Sequence, residues 1–192
     1  MKIRTALAGV AVAALALSLT PAIAHADVNR TGNYTVPAGR TIDDDLTVRN
    51  GNVVIRGVVK GNVKQVGSGN VIVERRGKVE GNIEEYGSGS VVVRGYGYVA
   101  GNIEEHYRGN VNVKDNADVD GNIDERSVGN VLISATVDGN VEEYDSGHMY
   151  LYHRARIDGD AIERHAGHVY RYSGARVEGD IREWGSGRLI RR

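Results

Sequence analysis

Apolar and polar residues alternate along most of the chain, and glycine interrupts the alternation at regular intervals. A single residue separates Val71 from Val73, and the same spacing recurs at Val91 and Val93. β-branched residues at a spacing of two are typical of short β-strands. No helical spacing of three and four residues accompanies them, so the pattern predicts an all-β chain.

The pattern repeats about every twenty residues. Residues 81–100, GNIEEYGSGSVVVRGYGYVA, are the most complete unit, and related units fill 61–80, 101–120, 121–138, 139–158, 159–178 and 179–192. The unit 121–138 is two residues short, in the segment GNVLISATVD at 129–138. In the degenerate first unit, 41–60, the segment GNVVIRGVVK at 51–60 lacks the same two residues. We expect this gap at a corner, because losing residues within a strand would turn later side chains to the opposite face.

A period near twenty predicts a β-solenoid in which each unit forms one coil. Coils hydrogen-bonded at a spacing of about 4.8 Å would bury stacked columns of Val and Ile, which no single coil could bury alone. We therefore predict about seven coils in a solenoid domain over 41–192, preceded by a lead-in or cap at 27–40. Glycines at unit positions 1 and 9 are expected at tight corners with positive φ. A column next to position 1 is expected to form a structural ladder; it comprises Asn62, Asn82, Asn102, Asn122, Asn140, Asp160 and Asp180.

Residues 1–26 have the features of a secretory signal peptide. Lys2 and Arg4 precede the apolar run ALAGVAVAALALSL, and Ala24-His25-Ala26 is a small-residue cleavage site. We expect cleavage before Asp27 and a secreted protein, extracellular or in the cell envelope, without a membrane span. The chain has no cysteine, so disulfides do not stabilise it. Its formal net charge of −1 does not fit a nucleic-acid partner.

Residues 34–63, YTVPAGRTIDDDLTVRNGNVVIRGVVKGNV, resemble the opening of bactofilin-type, polymer-forming β-helix domains, and the recurring VEGNI, VAGNI, VDGNI and VEGDI resemble their coils. The resemblance spans roughly 34–183 and implies a single-stranded right-handed parallel β-helix that assembles end to end rather than catalyses. Three features differ from the family: the export signal, the Glu at unit position 5, and the charged ending Arg188-Leu189-Ile190-Arg191-Arg192.

Residues one unit apart stack in a solenoid, so candidate sites are columns. Position 5 gives an acidic column that begins at Gln65 and continues through Glu85, Glu105, Glu125, Glu143, Glu163 and Glu183. Alternation directs this column inward, where ionised and unpaired acids are not tolerated. We therefore expect the strands to end early and leave the glutamates at a solvated corner. The alternatives are a ladder for a divalent cation such as Ca²⁺ and a catalytic carboxylate pair.

The outward positions separate into faces of opposite charge. Positions 20, 2 and 4 are acidic, whereas positions 12 to 18 are basic and aromatic. In the second set, Tyr150 is expected to stack on Tyr170 and Tyr152 on Tyr172. Such a grid binds sugar rings or serves as a protein interface, although aromatic ladders also simply stabilise solenoids. The candidate ligand or interface residues are Tyr150, Tyr152, Tyr170, Tyr172, Arg154, Arg156 and Arg176.

No catalytic motif is present, so no catalytic residue, metal ligand or cofactor is predicted, and the clustered histidines, such as His148 and His168, are interpreted as surface residues. The leading hypothesis is a secreted, non-enzymatic structural or adhesive protein that associates with copies of itself. A second hypothesis is a module that binds cell-wall or extracellular glycan through the tyrosine and arginine face. A third is an enzyme acting on acidic polysaccharide through the glutamate column.

Overall fold

A computed structural model describes residues 27–192, so the predicted signal peptide at 1–26 lies outside the described residues. The regular elements of the described chain are 26 short strands. In chain order they are β1 (Val28–Thr31), β2 (Tyr34–Val36), β3 (Thr41–Ile42), β4 (Leu46–Arg49), β5 (Val53–Ile55), β6 (Val58–Val59), β7 (Val63–Gly67), β8 (Val71–Val73), β9 (Lys78–Val79), β10 (Ile83–Gly87), β11 (Val91–Val93), β12 (Tyr98–Val99), β13 (Ile103–Glu105), β14 (Val111–Val113), β15 (Asp118–Val119), β16 (Ile123–Glu125), β17 (Val131–Ile133), β18 (Thr136–Val137), β19 (Val141–Glu143), β20 (Met149–Leu151), β21 (Arg156–Ile157), β22 (Ala161–Glu163), β23 (Val169–Arg171), β24 (Arg176–Val177), β25 (Ile181–Glu183) and β26 (Leu189–Arg191). Within residues 27–192, no helix is long and apolar enough to cross a membrane.

The strands form three parallel sheets that run the length of the solenoid. Every third strand along the chain belongs to the same sheet. Sheet A begins with β1, β4 and β7 and ends with β25, and sheet B begins with β2, β5 and β8 and ends with β26. Sheet C begins with β3, β6 and β9 and ends with β24. Partners lie one unit apart, as in Ile83 beside Ile103 and Val91 beside Val111. The predicted all-β parallel solenoid is therefore confirmed.

Eight coils have all three strands, and β25 and β26 form part of a ninth, where about seven coils were expected. The difference arises at the N-terminal end. Residues 27–40, assigned to a lead-in, contribute β1 and β2, and β1 pairs in register with β4. The first coil thus stacks on the second like any other, although its sequence lacks the repeat.

The core consists of inward-facing columns, one residue per coil. One of them is wholly buried from the second coil to the eighth and comprises Leu46, Val63, Ile83, Ile103, Ile123, Val141 and Ala161. Side chains of alternating residues point inward because successive residues of a strand face opposite sides of the sheet. Each coil covers its neighbour's apolar edge, so stability is shared along the rod.

The repeated glycines have a different role from the one expected. Gly109 has no positive φ, and a Cβ added there would lie 1.6 Å from the carbonyl oxygen of Gly89. Among the position-9 glycines only Gly69 has a positive φ, and none of those at position 1 has one. The expectation of positive φ is therefore wrong for these columns, which are glycine because neighbouring coils approach too closely for a side chain.

The two-residue gap lies at the corner between sheets B and C, as predicted. Ser134 and Ala135 alone connect β17 to β18, whereas four residues connect β14 to β15. The shortened corner leaves a cleft of about 420 Å³ beside Asp118 and Arg154.

Candidate functional site

The glutamate column is buried, so the expectation of a solvated corner is wrong. Glu85, Glu105, Glu125, Glu143 and Glu163 each have 0 % relative exposure. All but Glu85, which lies within β10, end their sheet A strands, and the alternation that buries Ile123 continues to Glu125 two residues later. Gln65 occupies the same column in the third coil and is equally buried. The structure therefore places six of these side chains in the core, with Glu183 half-buried at the last coil.

Each buried carboxyl closes the corner between sheets A and B. Glu125 Oε1 accepts hydrogen bonds from the backbone N–H groups of Ser127, at 3.2 Å, and Gly129, at 3.1 Å. Glu143 and Glu163 accept the equivalent pairs, two and four residues further along the chain, at 2.9–3.2 Å. Buried N–H groups at a corner need an acceptor. A long acidic side chain ending the strand supplies it, which explains the residue type.

Burial raises the pKa of four carboxyls in this column. It raises the pKa of Glu85 to about 8 and of Glu125 to about 9, and hydrogen bonding of both to the Glu105 side chain adds to the increase. Burial likewise raises the pKa of Glu143 and Glu183 to about 7. Stacked carboxyls that share protons hydrogen-bond instead of repelling. This resolves the apparent conflict between an inward direction and an acidic residue.

The column's geometry gives no support to the cation or enzyme hypotheses. The Oε1 atoms of Glu125, Glu143 and Glu163 face backbone amides, and the Oε2 atoms of the same residues are buried without a hydrogen-bond partner in the described chain. Within residues 27–192, no group of three or more His, Asp or Glu side chains is placed to hold a metal ion. The arrangement is that of a structural element.

The expected asparagine ladder is present. The Oδ1 atom of Asn82 accepts the backbone N–H of Asn102 at 2.8 Å, and the same contact recurs from coil to coil down to Asp160 and Asp180. Aspartate fits at the end of the column because only the acceptor oxygen is used. The ladder holds the corner between sheets C and A in register.

A second ladder, at unit position 10, is not predicted from the sequence. Asn110 Oδ1 accepts the backbone N–H of Asn130 at 2.8 Å, and Asn130 Oδ1 accepts that of His148 at 2.9 Å. His148 Nδ1 then accepts the N–H of His168 at 3.0 Å. The residue type changes along the column while a side-chain acceptor atom is retained, so residue identity alone does not reveal the ladder. The signal that could reveal it is acceptor chemistry at one unit position.

The four candidate tyrosines come together. Tyr150 and Tyr170 stack with ring centroids 4.9 Å apart and an angle of 6° between planes, and Tyr152 and Tyr172 stack at 5.1 Å. All four are half-buried on the outer side of the solenoid. The guanidinium of Arg192 lies 5.0 Å from the Tyr170 ring.

The three candidate arginines are not part of this grid. Arg156 and Arg176 lie on β21 and β24 of sheet C, and Arg154 lies in the corner between sheets B and C. Arg171, at an inward position of β23, donates to the carbonyl oxygen of Ala175 at 2.9 Å. The seven predicted residues thus form a tyrosine platform and a separate row of arginines.

The acidic face of sheet A is partly neutralised by basic residues. Arg164 contacts Glu142 at 2.5 Å and Lys64 contacts Glu84 at 3.2 Å, each across neighbouring coils. Arg126 lies 3.2 Å from Glu104. These pairs are partly exposed and contribute little to stability individually, and they leave less negative potential than the sequence indicates.

Comparison with known proteins shows similarity to one family over about half of the chain. The family profile described as "Bactofilin: Polymer-forming cytoskeletal" matches residues 34–128, which extend from β2 into the corner after β16. No curated protein and no solved structure matches the chain.

Proposed function

We propose that this chain, a bactofilin-like polymer-forming β-helix, is a non-enzymatic structural protein of the cell envelope or extracellular space whose copies join end to end. The family description supports self-association. The described chain adds a scaffold that suits it, since every coil stacks on the next through the same backbone pairing. A heterologous contact of this kind produces open filaments rather than closed rings.

The observation that carries the proposal is the state of the two terminal coils. At one end the sheets stop at β1, β2 and β3, and at the other sheets A and B stop at β25 and β26. Partly buried apolar side chains pack against the core there, namely Val28 and Tyr34 at the first coil and Ile181 and Leu189 at the last. The equivalent residues of internal coils are fully buried. A further coil from a second copy would complete their burial.

The test is a change of one end residue with a matched control from the same strand. Ile181→Glu places a charge on the inward side of β25, and Arg182→Glu places the same residue on its outward side. We expect purified wild-type protein and Arg182→Glu to form filaments by negative-stain microscopy, and Ile181→Glu to remain short by light scattering. Circular dichroism confirms that each variant is folded. Wild-type protein that stays monomeric at all concentrations would refute the proposal.

Export is the second part of the proposal and depends on residues 1–26. Mass spectrometry of protein recovered from the producing cells should give a chain beginning at Asp27, found in the envelope or medium. Replacing the apolar run with polar residues should retain the uncut chain inside the cell. An uncut chain from unmodified cells, located inside them, would contradict this part while leaving polymerisation intact.

Glycan binding is the alternative function, favoured by the stacked pair Tyr150 and Tyr170. A flat aromatic surface at this spacing suits the apolar face of sugar rings. Replacing both tyrosines with Ala should abolish retention on purified cell-wall glycan while leaving end-to-end assembly unchanged. Unchanged retention would remove this alternative, for which Thr136→Ala on sheet C is the control.

A further inference from the structure

The outward column of sheet B is apolar along almost the whole rod. One half-buried residue of this column lies at the centre of each strand from β5 to β26, and their backbones pair in register. The column comprises Val54, Ile72, Val92, Asn112, Leu132, Tyr150, Tyr170 and Ile190, preceded by Thr35 on β2. We call this column the sheet B stripe.

The other two sheets have no such stripe. The outward column of sheet A carries charged residues on most strands, including Glu84, Glu104 and Asp124. The outward column of sheet C alternates charged and uncharged residues, as in Lys78, Tyr98 and Asp118. A contiguous apolar strip on one face only is typical of an interaction surface.

The sheet B face is long but narrow. Nine strands at about 4.8 Å make it about 38 Å long, and the three residues of each strand, at about 3.3 Å, make it about 10 Å wide. Each copy therefore offers about 380 Å² of flat area, and two copies bury about 760 Å², which is less than a small stable interface. The same contact recurs in every subunit along a filament, so many weak contacts act together.

Asn112 indicates that the partner is the same chain. It lies on β14, the fifth of the nine strands of sheet B, and is the one polar residue in the interior of the stripe. A buried amide needs both a donor and an acceptor partner. In a pair of copies whose faces coincide, Asn112 lies opposite Asn112, and two amides satisfy each other. This holds whether the two rods run in the same or in opposite directions.

Charge along the edges of the stripe also permits the pairing. One edge carries Arg56, Arg94 and Lys114, and the opposite edge carries uncharged Asn52, Ser90 and Asn110, with Arg188 as its basic residue in the last coil. Two copies that run in the same direction place the basic edge of each against the uncharged edge of the other. Glu74, on the basic edge, is already held by Arg56 at 2.8 Å and Arg94 at 2.6 Å. In this arrangement the basic edge of one copy does not face the basic edge of the other.

We propose that two copies of this chain pair side by side through the sheet B stripe, with Asn112 opposite Asn112. This inference rests on the proposed self-association and adds a lateral surface to the end-wise one. Single filaments would then be joined into double ones.

Cysteine cross-linking tests the contact directly, because the chain has no cysteine of its own. Asn112→Cys places one thiol at the centre of the stripe, and a bis-maleimide that reaches about 10 Å, the spacing of packed sheets, would join two copies. We expect covalent dimers from Asn112→Cys and none from Asp124→Cys on sheet A. Equal yields from both variants, or no dimer from Asn112→Cys, would overturn the proposal.

Two variants in one coil separate pairing from folding. Leu132→Lys adds a charge to the stripe, and Thr136→Lys adds the same charge to the outward side of sheet C. Both changes are made in the Ile181→Glu chain, which does not assemble end to end. We expect sedimentation to show dimers for Thr136→Lys and monomers for Leu132→Lys. The dissociation constant of the Leu132→Lys dimer should be at least tenfold higher. Equal dimerisation by the two would refute the stripe. Failure of end-wise assembly alone would appear as wild-type dimers without filaments.

Discussion

At the scale of single residues, space between coils sets the strictest limit on substitution. Gly109→Ala would bring a Cβ within 1.6 Å of the Gly89 carbonyl oxygen, a backbone atom that cannot move alone. We expect urea unfolding to show a loss of about 3 kcal/mol, the upper end for overpacking. Gly39→Ala is the control, since nothing lies within 4 Å of its added Cβ and only its φ of 79° is strained. That strain should cost about 1–2 kcal/mol, and equal losses would show that coil spacing is not limiting.

Glu125→Gln tests the protonation state of the buried column. Glutamine keeps an acceptor for the corner N–H groups and, like Gln65 in the same column, carries no ionisable proton. The native pKa of Glu125 is about 9, so at pH 8 wild-type folding must protonate this carboxyl, whereas the variant has no such cost. We expect the variant to be more stable at pH 8 by on the order of 5 kcal/mol, since pH 8 lies about 3.5 units above the unfolded pKa, and about equal at pH 4.

The matching control for this change is Glu125→Ala. It removes the acceptor for Gly129 and Ser127 and leaves a cavity, so it should lose stability at both pH values. If Glu125→Gln were the less stable chain at pH 8, the carboxyl would have to be ionised in the folded state.

At the scale of the element, Glu85, Glu125, Glu143 and Glu183 act together on the pH dependence of stability. Their folded pKa values of about 7 to 9 lie above the unfolded value near 4.5, so the folded state holds protons that the unfolded state releases. The contribution of these carboxyls to the free energy of unfolding is therefore fully present below about pH 4.5. It is lost as pH rises towards 9, by up to about 1.4 kcal/mol per pH unit for each proton retained. Glu74, whose pKa is lowered chiefly by its hydrogen bond to Arg94, works in the opposite direction at acid pH.

Urea midpoints at pH 5, 7 and 9, at constant ionic strength, measure this dependence. We expect a steady fall from pH 5 to pH 9. A midpoint that is constant or rises over this interval would mean that the column is ionised or is not buried.

Strands and corners follow from the sequence more directly than side-chain chemistry does. Alternation at Val91 and Val93 places β11, and the gap in unit 121–138 places the corner at Ser134, because both depend only on backbone direction. The environment of Glu125 depends on the carboxyl one coil away, and its ionic state cannot be assigned before that neighbour is known. The His148 and His168 acceptors fail to be predicted for the same reason. The residues at unit position 12, considered alone, would predict the stripe. Grouping them with the basic residues at positions 14 to 18 conceals it.

At the scale of the whole molecule, coils should be removable as units. Deleting residues 101–120 removes one complete coil and joins Ala100 to Gly121, which preserves the order of the three sheets. We expect a folded chain whose urea m-value is lower by about one eighth, since m follows the surface exposed on unfolding. Deleting residues 101–110 instead would set a sheet B strand in the place of a sheet A strand and should prevent folding. Loss of folding in both deletions would show that the coils are not interchangeable.

The buried glutamate column also makes folding of this chain a proton-consuming reaction at neutral pH. These glutamates are ionised in the unfolded chain at neutral pH, so they must take up protons from the solution as each coil folds. The heat of unfolding recorded in a calorimeter will therefore include the ionisation heat of the chosen buffer, and Tris and phosphate will give different values. Folding of the chain should be most favourable where its surroundings are slightly acidic.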